Sequence, residues 1–334
     1  MVRTACAVAL SLSVGAAMAQ SAEYSDSNLR ISGFGTVGLT HASTPSGWGF
    51  RRDISQPEND GGTRADIDSR LGVQINYSPT PQFELVGQIV AARRSSCAPL
   101  GDNIERVFAA YRPQPDVLVR IGRVNIDSFL LSDYRNVGFA YRFVRPPVEF
   151  YGSLPVSLDG IDVSRDLRFD NSRWRLKAFA GRSVSGDLAV DGRVGANPVF
   201  GVTVSRESDG LTVRLGFART GFSSNAPDLR PLIDGLDAMA AVPVPEVAAQ
   251  ARELAASIDN KGDHTIYQSL GLNYEVRDWQ RTLELTKVSG HPTSRFVAGY
   301  AGVGRRFGSV TLSGGVSRIR TPTCRWQRPT GPRP

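Results

Sequence analysis

From about residue 29 to residue 320 the chain alternates apolar and polar residues, and this period of two restricts its folds more than any other feature. In "RLGVQINY", Leu71, Val73, Ile75 and Tyr77 alternate with Arg70, Gly72, Gln74 and Asn76. "FELVGQIVA" sets Phe83, Leu85 and Ile89 on one face, and "WRLKAFAG" opposes Trp174, Leu176 and Ala178 to Arg175, Lys177 and Phe179. "LTVRLGF", "SLGLNYEV" and "VTLSGGV" repeat the arrangement. About thirteen segments of roughly 8–12 residues read this way, each a strand with one apolar and one polar face. After Gln20 no apolar run approaches the roughly 20 residues that a membrane-spanning helix requires.

The links between segments alternate in length. Short turns fall at residues 78–82, 113–116, 169–172, 207–210, 277–278 and 308–309. Between them lie longer polar stretches at 42–65, 94–103, 124–157, 183–198 and 222–264, with a short exception at 290–294. Short links on one rim and long ones on the other are the layout of an up-and-down antiparallel barrel that crosses an outer membrane. A soluble β-sandwich also alternates. Against it stand arginine and lysine at mid-strand on the polar face, and an apolar face rich in glycine and alanine. Aromatics (Tyr77, Phe83, Tyr111, Trp174, Tyr274, Trp279, Phe307) cluster near the segment ends, as in membrane girdles.

Other motifs yield to this reading. Gly33, Gly35 and Gly38 satisfy G-x-G-x-x-G, with Asp53 at the distance expected for a dinucleotide fold. Leu-Thr-His and a Ser/Pro/Gly-rich stretch follow them, so no helix opens there to meet a pyrophosphate. The glycines are instead assigned to a first barrel strand in which Leu29, Ile31, Val37 and Leu39 share a face. Residues 1–19, with Arg3, an apolar run and Ala17-Met18-Ala19, read as a signal peptide cleaved before Gln20. Its removal lowers the formal charge from +7 to +6. No five-residue basic block points to nucleic acid. Cys97 and Cys324 form no metal-ligand spacing with His. No cofactor is implied.

The segment from Gly122 to Gly152 is too apolar for a free loop. It carries Phe129, Leu130, Leu131, Tyr134, Phe139, Tyr141, Phe143 and Phe150. A barrel lumen is the interior available to it, and folding inward places Asp127, Asp133, Arg135, Arg142, Arg145 and Glu149 in or near the pore. A loop lying over the mouth without narrowing it is the alternative.

The first strand "LRISGFGTVGL", the strand end "RIGRV" at 120–124 and the segment after it resemble Gram-negative outer-membrane porins. The resemblance extends over the mature chain to about Ile319. It implies a passive channel, commonly of sixteen strands and trimeric, whose third long loop folds in as the constriction. It further implies Asp127, Asp133, Arg135 and Glu149 as constriction residues, and Arg70, Arg106, Arg120, Arg175, Lys177 and Arg214 as lumen wall. A mainly basic lining predicts mild anion preference for small hydrophilic solutes. The partners so implied are the lipid bilayer of a bacterial outer membrane, the solutes, and two further copies of the chain.

Two regions depart from the strand period. Between Phe222 and Thr265 the spacing is helical: Leu229, Leu232, Ile233 and Leu236, then Val247, Ala251, Leu254 and Ile258. Pro243 and Pro245 separate two helices, and Asp228 is a candidate N-cap. This places a helical insertion at the outer mouth. The barrel is expected over residues 20–320 and an irregular tail over 321–334. A terminal aromatic strand of the porin kind is absent there, which reads as a product lacking about three strands. An outer-membrane hydrolase using His41, His264 or His291, and a substrate-specific channel, are the competing functions.

Overall fold

The computed structural model describes residues 9–10, 28–44, 49–53, 55–57, 59–94, 100–141, 143, 145–152, 157–185, 194–222, 230–259, 262–290 and 295–321. Thirteen strands form one sheet: β1 (Leu29–Thr36), β2 (Arg70–Thr80), β3 (Phe83–Ala92), β4 (Ile104–Gln114), β5 (Val117–Asn125), β6 (Ser157–Phe169), β7 (Ser172–Ser185), β8 (Val194–Ser208), β9 (Leu211–Phe222), β10 (His264–Val276), β11 (Trp279–Gly290), β12 (Phe296–Phe307) and β13 (Val310–Arg320). Each pairs antiparallel with its sequence neighbours, so the sheet is an uninterrupted meander with β1 and β13 at its margins.

The short links are tight because the turn residues adopt the left-handed conformation. Asp209 and Gly210 have φ of 48° and 78°, the doubly positive geometry of an Asp-Gly hairpin. Asp170, Arg277 and Gly308 are also positive in φ at their turns.

Burial is inverted relative to a water-soluble sheet. Leu71, Leu85, Ile89, Val107, Ile121 and Leu215 are at least half exposed, whereas Arg70, Gln88, Asp162, Lys177 and Glu284 are buried. The apolar face therefore points outward and the charged face inward, which is the polarity of a transmembrane barrel.

The sheet is rolled. Laid flat, thirteen strands spaced about 4.8 Å apart would separate β1 from β13 by roughly 55–60 Å. Yet Gly138 lies against Thr36 of β1, and Phe143 lies against Gly302 of β12 and Gly315 of β13. Five residues of chain reach at most about 18 Å, so the two margins curl toward one another around the segment between β5 and β6.

One strand differs from its expected extent. The first ends at Thr36 instead of continuing to Leu39. Residues Leu39–Ala42 turn away and pair with Gly62–Arg64 in a separate small sheet. The break falls at Gly38, where any Cβ would lie 2.5 Å from Asp68 Cβ, and the Gly38 N–H donates to Ser69 Oγ at 3.1 Å.

The helical insertion forms α2 (Arg230–Ala240) and α3 (Pro245–Ile258), after a single turn α1 (Val148–Tyr151) in the folded-in segment. Leu236, Ala251 and Ala255 are buried between α2 and α3, packed with Leu254 and Ile258. Leu232 and Val247 face outward instead. The proposed cap Asp228, the signal peptide apart from Ala9 and Leu10, and the tail beyond Thr321 lie outside the described residues.

Candidate functional site

The segment after β5 is held inside the sheet by two different sets of contacts. Toward β4–β9 the contacts are ionic. The Asp127 carboxylate is paired with Lys177 Nζ of β7 at 3.2 Å and with the Arg214 guanidinium of β9. Arg214 also donates to the Asp127 carbonyl at 3.0 Å. Lys177 in turn reaches Asp162 of β6 at 3.6 Å, and Asp162 receives Arg120 of β5 through contacts of 2.9, 3.1 and 2.6 Å. This forms a continuous charged chain, Arg120–Asp162–Lys177–Asp127–Arg214, across the inner wall. Burial alone would raise the Asp127 carboxyl, but Lys177 and Arg214 outweigh it and hold the group down at about 2.

Toward β11–β13 the contacts are aromatic and hydroxylic. Glu284 of β11, fully buried, accepts from Leu130 N–H at 2.7 Å, from Tyr151 O–H at 2.6 Å and from Tyr300 O–H at 2.6 Å. Phe129, Phe150, Tyr151 and Tyr300 surround this carboxylate, with ring centroids 4.6–5.5 Å apart for Phe129–Phe150, Phe129–Tyr151 and Phe150–Tyr300. Inward glycines make the space. A Cβ at Gly271 would meet Leu130 at 2.7 Å, and one at Gly302 would meet the Phe143 ring at 2.4 Å.

The remaining expected residues are placed as follows. Arg70 donates to the Asn136 carbonyl at 2.6 Å, the Asp68 carbonyl at 3.0 Å and Tyr141 O–H at 2.9 Å. Arg106 donates to the Asp133 carbonyl. Arg145 pairs with Asp68 at 3.2 Å and stacks over Phe50. Glu149 accepts from Ser317 Oγ of β13 at 2.7 Å. Arg175 is bidentate to Asp166 at 2.7 and 3.0 Å, near the short-turn rim. Arg135 is half-buried, and its removal from solvent lowers its guanidinium pKa. Arg142 lies outside the described residues.

Of the acids that partner this basic wall, sequence reasoning singled out Asp127 but neither Asp162 nor Asp166, and it did not find Glu284, the acceptor of the aromatic anchor. Asp162, Asp166 and Glu284 are mid-strand charges on the inward parity of "SLDGIDVSRD" and "WQRTLELTKV", and that was the available signal. Nor did it find a second inward cluster at residues 51–56. There Arg52 pairs with Asp53 at 3.2 Å, and the buried Gln56 side chain accepts from Arg52 N–H at 2.8 Å while donating to the Ile67 carbonyl at 2.8 Å. Burial pushes the Asp53 carboxyl up, but Arg52 and Arg135 bring it down to about 2. Close by, Arg94 pairs with Glu105 at 2.8 Å.

Of the histidines, His41 contacts Thr63 Oγ1 at 2.8 Å and Ser43 Oγ at 3.2 Å on the exposed small sheet, and His264 is exposed at the start of β10. His291 lies outside the described residues. Among the described residues no cluster of His, Cys, Asp and Glu is arranged to hold a metal ion.

No family model and no curated protein matches the chain. Solved structures do. One is Salmonella typhi OmpF in complex with daunomycin, at 11% identity and TM-score 0.48, covering 86% of this chain and 78% of that one. The anion-selective porin of Comamonas acidovorans matches at 10% identity and TM-score 0.37, covering 87% and 89%. Pseudomonas aeruginosa OpdQ matches at 8% identity and TM-score 0.39, covering 89% and 82%.

Proposed function

We propose that the chain forms a water-filled channel through a bacterial outer membrane, with the segment Ile126–Gly152 as its constriction. Small hydrophilic solutes then cross passively, down their own gradients. The observation that carries this reading is the inverted burial: an outer face of exposed Leu, Ile and Val around an inner wall of Arg, Lys, Asp and Glu. The constriction residues are Asp127, Asp133, Arg135, Arg142, Arg145 and Glu149, facing a wall of Arg70, Arg106, Arg120, Arg175, Lys177 and Arg214. The assembly is a homotrimer.

Selectivity follows from what remains unpaired. Arg120, Arg175, Lys177 and Arg214 are matched by Asp127, Asp162 and Asp166. Arg70, Arg106 and Arg135 make no ion pair with a carboxylate among the described residues. Against these three cations stand Asp133 and Glu149, which also make no ion pair among the described residues, so the surplus of positive charge is small and supports a mild anion preference and no strong one.

The test is reconstitution of the full chain into liposomes and planar bilayers. Expected are swelling in small sugars without saturation, a slightly anion-selective reversal potential in a salt gradient, and heat-modifiable migration on a gel. Saturable flux of one solute class would replace the general channel with a substrate-specific one. Absence of conductance would end the channel reading.

A further inference from the structure

The outward face of β11 and β12 carries two arginines where lipid-facing residues belong. Trp279 opens β11 immediately after the Arg277–Asp278 turn, and its register partner on β12 is Arg305. Arg281 is the next outward residue of β11, sharing the parity of Leu283 and Leu285, while Arg305 shares that of Val303 and Val297. The Arg305 guanidinium lies 4.9 Å from the Trp279 ring centroid and 4.6 Å from that of Phe307, and the Arg281 guanidinium lies 6.0 Å from Trp279. The two arginines are diagonal neighbours across the ladder, a spacing of about 7–8 Å between backbones.

Neither makes an ion pair among the described residues. The acid at this turn, Asp278, is paired with Arg306 of the inner face at 3.5 Å. Arg165, another outward arginine near the same rim, is paired with Asp116 at 2.8 Å. The doublet is therefore a place where unpaired positive charge faces outward on the aromatic girdle. The arrangement has a smaller echo on β7 and β8, where Arg206 sits opposite Trp174 in register with its guanidinium 5.8 Å from the ring centroid.

A guanidinium on a lipid-facing strand costs little at the interface and several-fold more toward the midplane. Stacking on Trp279 and Phe307 fixes these two at headgroup depth, beside the turn. With no ion pair among the described residues, each guanidinium keeps N–H groups to donate outward, the fork that recognises a phosphate.

We propose that Arg281 and Arg305, with Trp279 and Phe307 as their platform, bind the phosphodiester of an anionic glycerophospholipid at the short-turn rim. This rests on the membrane reading above. The test uses full-length protein reconstituted into phosphatidylcholine vesicles with and without phosphatidylglycerol. The lipid retained after extraction is counted by native mass spectrometry. Wild type is expected to retain phosphatidylglycerol over phosphatidylcholine. The Arg281→Ser/Arg305→Ser variant is expected to bind it about thirtyfold more weakly, each guanidinium contributing roughly fivefold. Arg281→Lys/Arg305→Lys, which keeps charge and loses the fork, should fall between. Arg168→Ser/Arg173→Ser, which removes two guanidiniums from the inner face of the same rim, should match wild type.

No preference for phosphatidylglycerol in wild type overturns the site, even if the serine variant fails to insert. So does equal retention by the serine variant or an equal loss in the inner-face control. Displacement of the lipid by inorganic phosphate at millimolar concentration would mark a free-anion site and overturn the lipid assignment. Failure of wild type to float with either vesicle type is a different result, because it refutes the membrane reading itself.

Discussion

The folded-in segment is fastened to neighbouring stretches of the wall by two different chemistries, for Arg214 and Glu284 stand one strand apart in register with Gly271 between them. At Asp127 the fastening is electrostatic: one carboxylate between Lys177 and Arg214, within a charged chain that runs on to Asp162 and Arg120. At Glu284 the direction is reversed. The wall supplies the carboxylate, and the segment supplies neutral donors, Leu130 N–H and Tyr151 O–H, inside an aromatic cluster. The first anchor uses paired charges, which protonation of Asp127 at low pH would undo. The second buries its hydrogen bonds among rings, where water cannot substitute for a lost partner. A constriction that must stay in place beside moving solute is thereby held by one contact that tunes the field in the lumen and another that sets position.

The largest effect is expected where the neutral anchor is cut. Glu284→Ala strands three donors in a buried site, a loss of about 3–6 kcal/mol, and frees the stretch from Leu130 to Tyr151. The measurable outcome is a lower transition temperature in heat-modifiability together with larger and noisier single-channel conductance. Glu284→Gln keeps one acceptor oxygen and should recover part of both. An Ala variant with wild-type conductance would show that the aromatic cluster alone positions the segment.

Cutting the ionic anchor should cost somewhat less in position and more in selectivity. Asp127→Ala leaves Lys177 and Arg214 facing a neutral backbone, and breaking a buried pair in this way typically costs about 3–5 kcal/mol. One negative charge then leaves the lumen field, freeing Arg214 while Lys177 keeps Asp162 at 3.6 Å, so the reversal potential should move toward anions. If it moves toward cations, or not at all, Asp127 does not border the conducting path.

Acid should act on the same side of the comparison. Asp127 and Asp53 have folded values of about 2, below an ordinary carboxyl near 3.8. For a depressed carboxyl the stabilisation is fully present above the unfolded value and is lost as pH falls through the folded one. The window is therefore pH 4 down to pH 2, with a loss on the order of 2 kcal/mol per group. Conductance recorded across that window should rise in noise and become more anion-selective in wild type, while the Asp127→Asn variant, already without the charge, should show a smaller change.

How much of this was legible in the sequence depends on which physical constraint wrote each part. The strands were, because lipid on one face and an aqueous, charged interior on the other impose alternation at every residue. The paired expectations at Arg70–Tyr77, Phe83–Ala91 and Leu211–Phe217 are strands in the fold. The aromatic excess of residues 129–150 marked a segment that had to be covered, and it packs against β11–β13. What a single chain cannot display is register between distant strands. Nothing local to Glu284 says that Tyr151, 133 residues away, will donate to it, and Asp162 finds Arg120 and Lys177 only once β5, β6 and β7 are aligned. The strand break at Gly38 was hidden for the same reason, since the side chain that crowds it belongs to Asp68.

The smallest expected effect on stability concerns a region fastened to neither stretch of wall. α2 and α3 bury Leu236, Ala251 and Ala255 against each other, and their hydrophobic cluster includes no strand residue. Joined to β9 and β10 at the long-link rim, they are proposed as a lid over the mouth. Deleting Asp228–Asp259 and closing the gap with a short Gly/Ser link should leave the heat-modifiability transition within a few degrees of wild type. A self-packed pair contributes to its own order and little to the sheet. Conductance should nevertheless rise, because the hairpin would stand in the access path in series with the constriction. The Glu284→Ala variant sharpens the result. If lid and constriction are independent resistances in series, the combined variant gains more than either alone. If deletion changes nothing even there, the hairpin lies beside the mouth and not across it.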